Sequence, residues 1–234
     1  MREQSFDAGR IARVAGLLYV VIILAGMGSE VAVRIPNIVP GDPAATAANL
    51  VENAGLFRLS FAADMAMALS DVALAVLLFW LLRPAGKVLS LMAMAFRLVQ
   101  AALIGASLLF QHAALLVATG APGFDSGDRE ALAAFFLDIH AHGYDLGLVF
   151  FGVACLLLGT LILRSGFLPR WLGGLVFAAG PVYLAGSFAR FVMPEIHGPL
   201  QFAYVVPLVA ETAFALWLLL RGVDTKVWEA GAGK

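Results

Sequence analysis

The chain has 234 residues, of which 62% are apolar and only 13% charged, a balance far from that of an average soluble domain. Its formal net charge of -1 indicates no acidic or basic partner, and no basic face interleaved with aromatic residues predicts binding to nucleic acid. The single cysteine, Cys155, excludes an intrachain disulfide and a metal site built from several cysteines.

Six apolar stretches are long enough to cross a bilayer as helices, which takes about 20 residues each. They leave too little chain for a separate soluble domain. We therefore expect an all-α, polytopic membrane protein, with residues 1–234 forming one integral membrane domain built as a bundle of six transmembrane helices. The predicted spans are residues 14–34, 57–82, 88–118, 131–163, 171–193 and 201–220.

Basic residues fall on one side of this six-span arrangement, whereas the loops on the other side are mostly acidic or neutral. By the positive-inside rule, both termini are expected to be cytoplasmic. The basic residues on that side are Arg2, Arg10, Arg13, Arg83, Lys87, Arg164, Arg170, Arg221, Lys226 and Lys234.

The connection after the first span carries the signals of a short helix. Asp42 followed by Pro43 is a typical helix start, and Asn53 with Gly55 offers a stop. We expect an extracytoplasmic helix over residues 43–52, lying across the outer mouth of the bundle. Two interpretations stay open for it, a packed surface segment and a movable lid.

Twelve ionisable side chains lie inside or at the rims of the apolar spans. Charges are costly in hydrocarbon, so such residues mark a pathway, a ligand site or a structural ion pair. They are Glu30, Arg34, Asp64, Asp71, Arg97, His112, Asp138, His140, His142, Asp145, Arg190 and Glu211.

Two of these charges are predicted to form a buried ion pair. Asp71 lies twelve residues before Arg83, and Arg97 lies ten residues after Lys87, so a short turn between the two spans places both near mid-membrane. A lone arginine there would be very costly, whereas a paired one is tolerated. The pair is either purely structural or also contacts a substrate.

The fourth span contains the densest group of polar residues. On a helix, Asp138, His142 and Asp145 share one face, while His140 and Tyr144 share another. These histidines either form hydrogen bonds between helices or pass and sense protons, since imidazole titrates near neutral pH.

A metal is a weaker interpretation of the same residues, because two histidines at this spacing cannot reach one ion from a regular helix. The weak candidates for such a site are Asp138, His142 and Asp64. A haem between His112 and either His140 or His142 is a further alternative. The sequence identifies no cofactor.

Glu211 lies near the centre of the sixth span, four residues after Pro207, where we expect a kink and an unpaired, protonated carboxyl. Gly180 and Pro181 are expected to interrupt the fifth span, below Arg190 at its outer end. Two discontinuous helices beside a polar centre are typical of transporters, but prolines are also tolerated in ordinary membrane helices.

Glycines of the fourth span predict close approach of neighbouring helices, most simply within one chain and alternatively in a homodimer. They are Gly143, Gly147, Gly152 and Gly159.

Several stretches also carry a resemblance to a known family, in the same order along the chain. They are Arg13 to Tyr19, Val39 to Asp42 continuing through Leu56 to Arg58, Phe96 to Leu98, and Phe150 to Gly152 continuing through Leu168 to Arg170. They resemble the bacterial six-span family catalogued as domain of unknown function 4386. The resemblance implies a multi-pass protein of the bacterial inner (plasma) membrane and assigns no activity or site residue.

The leading functional prediction is that a small ligand, an ion or a proton binds in, or passes through, a polar pocket in the middle and outer half of the bundle. The pocket residues are predicted to be Asp64, Asp71, Arg97, His140, His142, Asp145, Arg190 and Glu211. Two alternatives remain, a membrane-embedded hydrolase acting on lipid, with or without a metal, and a non-catalytic sensor or assembly partner.

Overall fold

The computed structural model describes residues 7–120, 122–123 and 125–232. Six helical stretches in this part of the chain are long and apolar enough to cross a membrane, which confirms the predicted all-α, six-span fold. The elements are α1 (Ala8–Gly28), a π-helical segment (Ser29–Arg34), α2 (Ile35–Asn37), α3 (Pro43–Glu52), α4 (Ala54–Leu82), α5 (Lys87–Ala118), α6 (Ser126–Ser165), α7 (Arg170–Val192), α8 (Pro194–Leu200), a 3₁₀ turn (Gln201–Tyr204), α9 (Val205–Leu220) and α10 (Thr225–Ala232).

The six spans pack as a closed ring in chain order. Each of the helices α1, α4, α5, α6, α7 and α9 packs against the next, and α9 packs back against α1. One end of the ring carries α3 and is called the α3 end. The other carries the turn Arg83–Ala85 and α10 and is called the basic end. Side chains that point into the ring can therefore meet residues from several helices.

Two helices begin earlier than predicted, because polar residues cap them. The Asp7 carboxylate accepts a hydrogen bond from the Gly9 backbone N–H, so α1 begins at Ala8 rather than near residue 14. The Asp125 carboxylate accepts one from the Asp128 backbone N–H at 2.9 Å, so α6 begins at Ser126. Such caps satisfy the free N–H groups of a first helical turn.

The predicted short helix after the first span is confirmed as α3. The Asp42 carboxylate caps it by accepting from the Ala45 backbone N–H at 2.9 Å. The Asn49 side chain donates to the Asn37 backbone oxygen at 3.1 Å, and the Asn53 side chain donates to the Asn37 side-chain oxygen at 2.9 Å. These bonds hold α3 to the end of the first span.

Close helix approach through the α6 glycines occurs within one chain. A Cβ atom on Gly143 would lie 2.8 Å from the Ser107 Cβ on α5, and one on Gly159 would lie 2.5 Å from the Phe177 backbone nitrogen on α7. Glycine at these positions therefore lets α6 pack tightly between its two neighbours.

The expected interruption at Gly180 and Pro181 is wrong, since α7 stays helical through Pro181. A Cβ on Gly180 would lie 2.9 Å from the Gly152 backbone oxygen, so this glycine serves helix packing. In the sixth span the helical geometry changes at the 3₁₀ turn Gln201–Tyr204, which precedes Pro207.

The basic end is closed by α10. The Trp228 indole donates a hydrogen bond to the Leu81 backbone oxygen at 2.7 Å, and its ring stacks on Trp80 with the centroids 4.6 Å apart. These contacts tie the C-terminal helix to the end of α4.

Candidate functional site

The centre of the ring holds the ion pair that residue counting predicted. Helices α4 and α5 run antiparallel from the short turn between them, and the Arg97 Nε donates to the Asp71 Oδ1 at 2.5 Å. Both side chains are only 4% exposed. The structure therefore places a charged pair deep in the bundle, where neither partner is tolerated alone.

Aromatic rings from two other helices cover the Arg97 guanidinium. Its central carbon lies 4.9 Å from the ring centroid of Tyr19 on α1 and 4.9 Å from that of Phe151 on α6. Cation–π contacts of this kind stabilise a desolvated guanidinium by about 2 kcal/mol or more. The arginine is thus held by one carboxylate and two rings.

Glu211 adds a second carboxyl beside the same arginine. It is 8% exposed, accepts a hydrogen bond from the Tyr183 hydroxyl, and lies within electrostatic reach of Arg97. The Tyr19 hydroxyl is close to Arg97 and Glu211, yet it forms no well-aligned hydrogen bond with any residue in the described ranges. One guanidinium therefore lies near two buried carboxyls and a tyrosine hydroxyl.

All six spans contribute to this arrangement, which is called the central cluster. Since each helix of the ring supplies one side chain, a shift of any span would change the contacts of Arg97 or Glu211. The central cluster consists of Tyr19 (α1), Asp71 (α4), Arg97 (α5), Phe151 (α6), Tyr183 (α7) and Glu211 (α9).

A second polar group, the Asp145 cluster, lies nearer the α3 end between α6 and α7. Arg190 forms an ion pair with Asp145, and the Ser187 hydroxyl donates to the other Asp145 oxygen at 3.2 Å. The hydroxyls of Ser187 and Tyr204 are 3.1 Å apart. The Tyr204 ring meets the Tyr183 ring edge to face, with centroids 5.5 Å apart, so the Asp145 cluster adjoins the central cluster.

A third group, the Asp64 cluster, joins the π-helical segment to α4 and α5. Arg34 donates to Glu30 through its Nε and to Asp64 through its Nη1, each at 2.6 Å. The Arg34 Nη1 also lies 3.2 Å from the Gln111 Oε1, and the Gln111 amide donates to the Ser60 hydroxyl at 2.9 Å. A guanidinium again faces two carboxyls.

The eight predicted pocket residues are therefore distributed rather than gathered around one space. Asp71, Arg97 and Glu211 meet in the central cluster, Asp145 and Arg190 meet in the Asp145 cluster, and Asp64 belongs to the Asp64 cluster. The structure brings neither predicted histidine into a hydrogen bond with these groups in the part of the chain it describes.

The two histidines of α6 have separate local partners. The His140 Nδ1 lies 3.0 Å from the Ser107 backbone oxygen, so this nitrogen is the donor. The His142 Nδ1 lies 2.8 Å from the Asp138 backbone oxygen, and its ring packs edge to face on Phe191. His140 thus holds α6 to α5, whereas His142 is partly exposed.

The weak metal candidates are not brought together, which corrects that interpretation. Asp138 and His142 lie on an exposed face of α6, with 60% and 36% of their side chains exposed, whereas Asp64 is buried against Arg34. In the described ranges, no three His, Cys, Asp or Glu side chains are grouped as a metal site needs. His112 packs against the Phe61 ring, and the haem alternative stays a prediction.

A small cavity borders Arg97 on the side of the basic end. The space open to the centre of a water molecule is about 10 Å³, close to what one bound water occupies. It extends between α4, α5 and α6 to Ser90 near the start of α5. Its lining residues are Ala75, Leu78, Phe79, Ser90, Ala93, Met94, Arg97, Ala154 and Leu158.

Glu30 and Arg34 belong to the twelve ionisable residues of the predicted spans but were not predicted to pair, and the tyrosines of these clusters were not predicted. Arg34 and Glu30 are four residues apart, a spacing that predicts an ion pair on one helix face. Tyr19, Tyr183 and Tyr204 carried no comparable signal, because a tyrosine in an apolar span reads equally well as packing.

Six apolar helices in a ring around buried charges define a multi-pass integral membrane protein with a polar interior. Residues 14–222 match the model of the family described as "Domain of unknown function (DUF4386)". The chain belongs to this family, as its motifs predicted.

A relative from Archaeoglobus fulgidus, described as "Uncharacterized protein", is 33% identical to the chain over 152 residues. The shared region covers 65% of this chain and 76% of the relative. No solved structure matches the chain.

Proposed function

We propose that the protein binds protons at the central cluster and passes them along the ring to the Asp145 cluster. The observation that carries this proposal is the Arg97–Asp71 ion pair with a second buried carboxyl, Glu211, within electrostatic reach of the guanidinium. Asp71 forms the direct ion pair, so Glu211 is the carboxyl in excess.

A bound proton would neutralise the excess negative charge of the central cluster. An isolated carboxylate is costly inside a protein unless a cation or several hydrogen bonds compensate it. Asp71 already takes the Arg97 Nε, and Glu211 accepts a hydrogen bond from Tyr183. A single proton on Glu211 would make the cluster neutral, and its removal would leave one negative charge.

Hydroxyl groups lead from Glu211 toward the α3 end. Tyr183 bonds Glu211, Tyr204 adjoins Tyr183, and Ser187 connects Tyr204 with Asp145. A proton advances when each oxygen accepts one proton from one neighbour and releases its own to the next, so one leaves for each that enters.

The row of hydroxyl groups from Glu211 to Asp145 is interrupted at one point. Among the described residues, Tyr183 and Tyr204 meet through their rings and not through a hydrogen bond between their hydroxyls. A water molecule or a rotation of Tyr204 would have to connect them. On the opposite side, the cavity beside Arg97 offers a water-sized step toward Ser90 and the basic end.

The basic residues that predict the topology also predict the direction of the proton path. If both termini are cytoplasmic, as the positive-inside rule predicts, the α3 end faces outward and the cavity faces the cytoplasm. Placement in a bacterial inner membrane and any assembly into homo-oligomers stay predictions.

The test is proton flux into liposomes that contain the purified protein and a pH-sensitive dye in the lumen, driven by a potassium gradient with valinomycin. The wild-type protein is expected to acidify the lumen faster than empty liposomes do. Glu211→Gln, which keeps the shape of the side chain and cannot carry the proton, is expected to abolish this flux. Tyr183→Phe is expected to lower it about tenfold or more, an energetic change of about 1.4 kcal/mol in the barrier.

Glu229→Gln is the matched control, because Glu229 is an exposed carboxyl on α10. It is expected to conduct like the wild type. A folded Glu211→Gln protein that conducts like the wild type would overturn the proposal, and so would wild-type liposomes no faster than empty ones.

A further inference from the structure

The Asp64 cluster carries an unbalanced charge of its own. Arg34 supplies the guanidinium of this cluster and is shared between the carboxylates of Glu30 and Asp64, with the His140 ring of α6 within electrostatic reach. Gln111 and Ser60 complete the network as neutral groups. With all groups ionised, the cluster has one negative charge in excess.

We place this excess charge at one oxygen of Asp64, the Oδ1. The Asp64 side chain is 0% exposed, and its Oδ2 accepts the hydrogen bond from Arg34. Its Oδ1 is buried and accepts no well-aligned hydrogen bond from any residue in the described ranges, with the Ser29 hydroxyl as the donor beside it. A buried carboxylate oxygen without a well-aligned donor is costly, so something outside the described contacts is expected to compensate it.

A hydroxyl oxygen lies beside this position. The Ser29 hydroxyl lies beside Asp64 and donates to the Ser60 backbone oxygen at 3.2 Å, which leaves its own lone pairs available. Carboxylate, hydroxyl and carbonyl oxygens are ligands that suit hard cations. The positively charged Arg34 is engaged on the other oxygen of Asp64.

The cluster also reaches the surface of the bundle on one side. The Glu30 side chain is 51% exposed, whereas Arg34 and Asp64 behind it are buried. Glu30 and Arg34 both belong to the π-helical segment Ser29–Arg34, a geometry that often occurs at functional sites. A small ion could therefore reach Asp64 past an exposed carboxylate.

We infer that the Asp64 cluster is a binding site for a small monovalent cation, Na⁺ or a proton, held at the Oδ1 of Asp64. Either ion would neutralise the one carboxylate that is in excess. The inference goes beyond the proposed proton path, because the Asp64 cluster shares no residue with the central cluster.

The experiment measures thermal unfolding of the full chain in detergent, with NaCl replaced stepwise by choline chloride at constant ionic strength. An ion that binds only the folded protein raises the unfolding temperature as its concentration rises. If Na⁺ is the ligand, we expect NaCl to stabilise the wild type more than choline chloride does. Asp64→Asn should lose this difference, whereas Glu52→Gln, an exposed carboxyl of α3, should keep it.

Infrared spectroscopy in sodium-free buffer tests whether the bound ion is a proton. If the ligand is a proton, the unfolding temperature is the same in both salts. The wild-type spectrum then contains a protonated-carboxyl band that Asp64→Asn removes. Equal stability in both salts together with no such band would overturn the inference.

A second variant keeps the test decisive if Asp64→Asn fails to fold. Glu30→Gln changes a half-exposed side chain and removes the charge excess, so the Na⁺ response or the protonated-carboxyl band should weaken about tenfold or disappear. An unchanged response in folded Glu30→Gln protein would also contradict the inference. The proton-flux test is a separate measurement, so either proposal can fail without the other.

Discussion

The central cluster and the Asp64 cluster have the same charge composition in different surroundings. Each has one arginine and two carboxyls. In the central cluster all three charged groups are buried and six helices contribute, whereas in the Asp64 cluster one carboxyl, Glu30, is half exposed. The excess charge of the Asp64 cluster therefore lies closer to the surface of the bundle than that of the central cluster.

We expect this difference in burial to give the two clusters different functions. A buried excess carboxyl such as Glu211 has its hydrogen-bonded neighbours as the routes for a proton. An excess carboxyl such as Asp64, which lies behind a carboxylate at the bundle surface, suits the ion exchange that we infer for the Asp64 cluster. The contrast also predicts that stability depends more strongly on the arginine of the central cluster than on that of the Asp64 cluster.

The largest expected effect comes from breaking the central ion pair. Arg97→Gln leaves Asp71 buried without its partner and should lower the free energy of unfolding by about 3 to 5 kcal/mol. The double variant Arg97→Gln with Asp71→Asn should recover part of this loss, since neither charge is then left alone. Equilibrium unfolding in mixed micelles measures both values. A double variant no more stable than Arg97→Gln would contradict the pairing.

A smaller loss is expected for the equivalent change in the Asp64 cluster. Arg34→Gln removes charge-assisted hydrogen bonds to Glu30 and Asp64 and should cost about 2 to 3 kcal/mol. The half-exposed Glu30 limits the cost, because its carboxylate lies at the surface of the bundle rather than in its interior. The same unfolding experiment decides the order. If Arg34→Gln is more destabilising than Arg97→Gln, the comparison between the clusters is wrong.

Two glycines of the first span offer a weaker test of the same contrast. A Cβ on Gly16, three residues before Tyr19, would lie 2.4 Å from the Leu219 backbone nitrogen, whereas one on Gly28, beside the π-helical segment, meets nothing within 4 Å. Gly16→Ala should therefore cost about 1 to 2 kcal/mol through overpacking. Gly28→Ala is the control and should cause no loss. Equal unfolding temperatures for the two variants would show that α1 and α9 are not packed as described.

The fold could be predicted from the sequence because a membrane imposes length and polarity on each span. Counting residues from the turn at Arg83 was enough to pair Asp71 with Arg97. The aromatic neighbours of Arg97 could not be found in this way, because which face of α1 meets α5 depends on packing of the whole ring. The eight predicted pocket residues do not line one space for the same reason. Asp64 and Asp145 both lie nearer the α3 end than the central cluster does, but they face different neighbours.

The π-helical segment also had no signal in the sequence, since Ser29 to Arg34 reads as an ordinary end of an apolar helix. The α6 histidines show a related limit. Their spacing placed His140 and His142 on different faces, but only the structure shows that each lies against a backbone oxygen.

The most direct test of the charge excess is the infrared spectrum of protonated carboxyl groups in wild-type protein and in Glu211→Gln. If one guanidinium serves two carboxyls in the central cluster, the wild-type spectrum at neutral pH contains a protonated-carboxyl band that disappears in Glu211→Gln and persists in the exposed control Glu229→Gln. A wild-type spectrum with no band that depends on Glu211 would mean that the cluster holds both carboxyls ionised, and it would contradict the account.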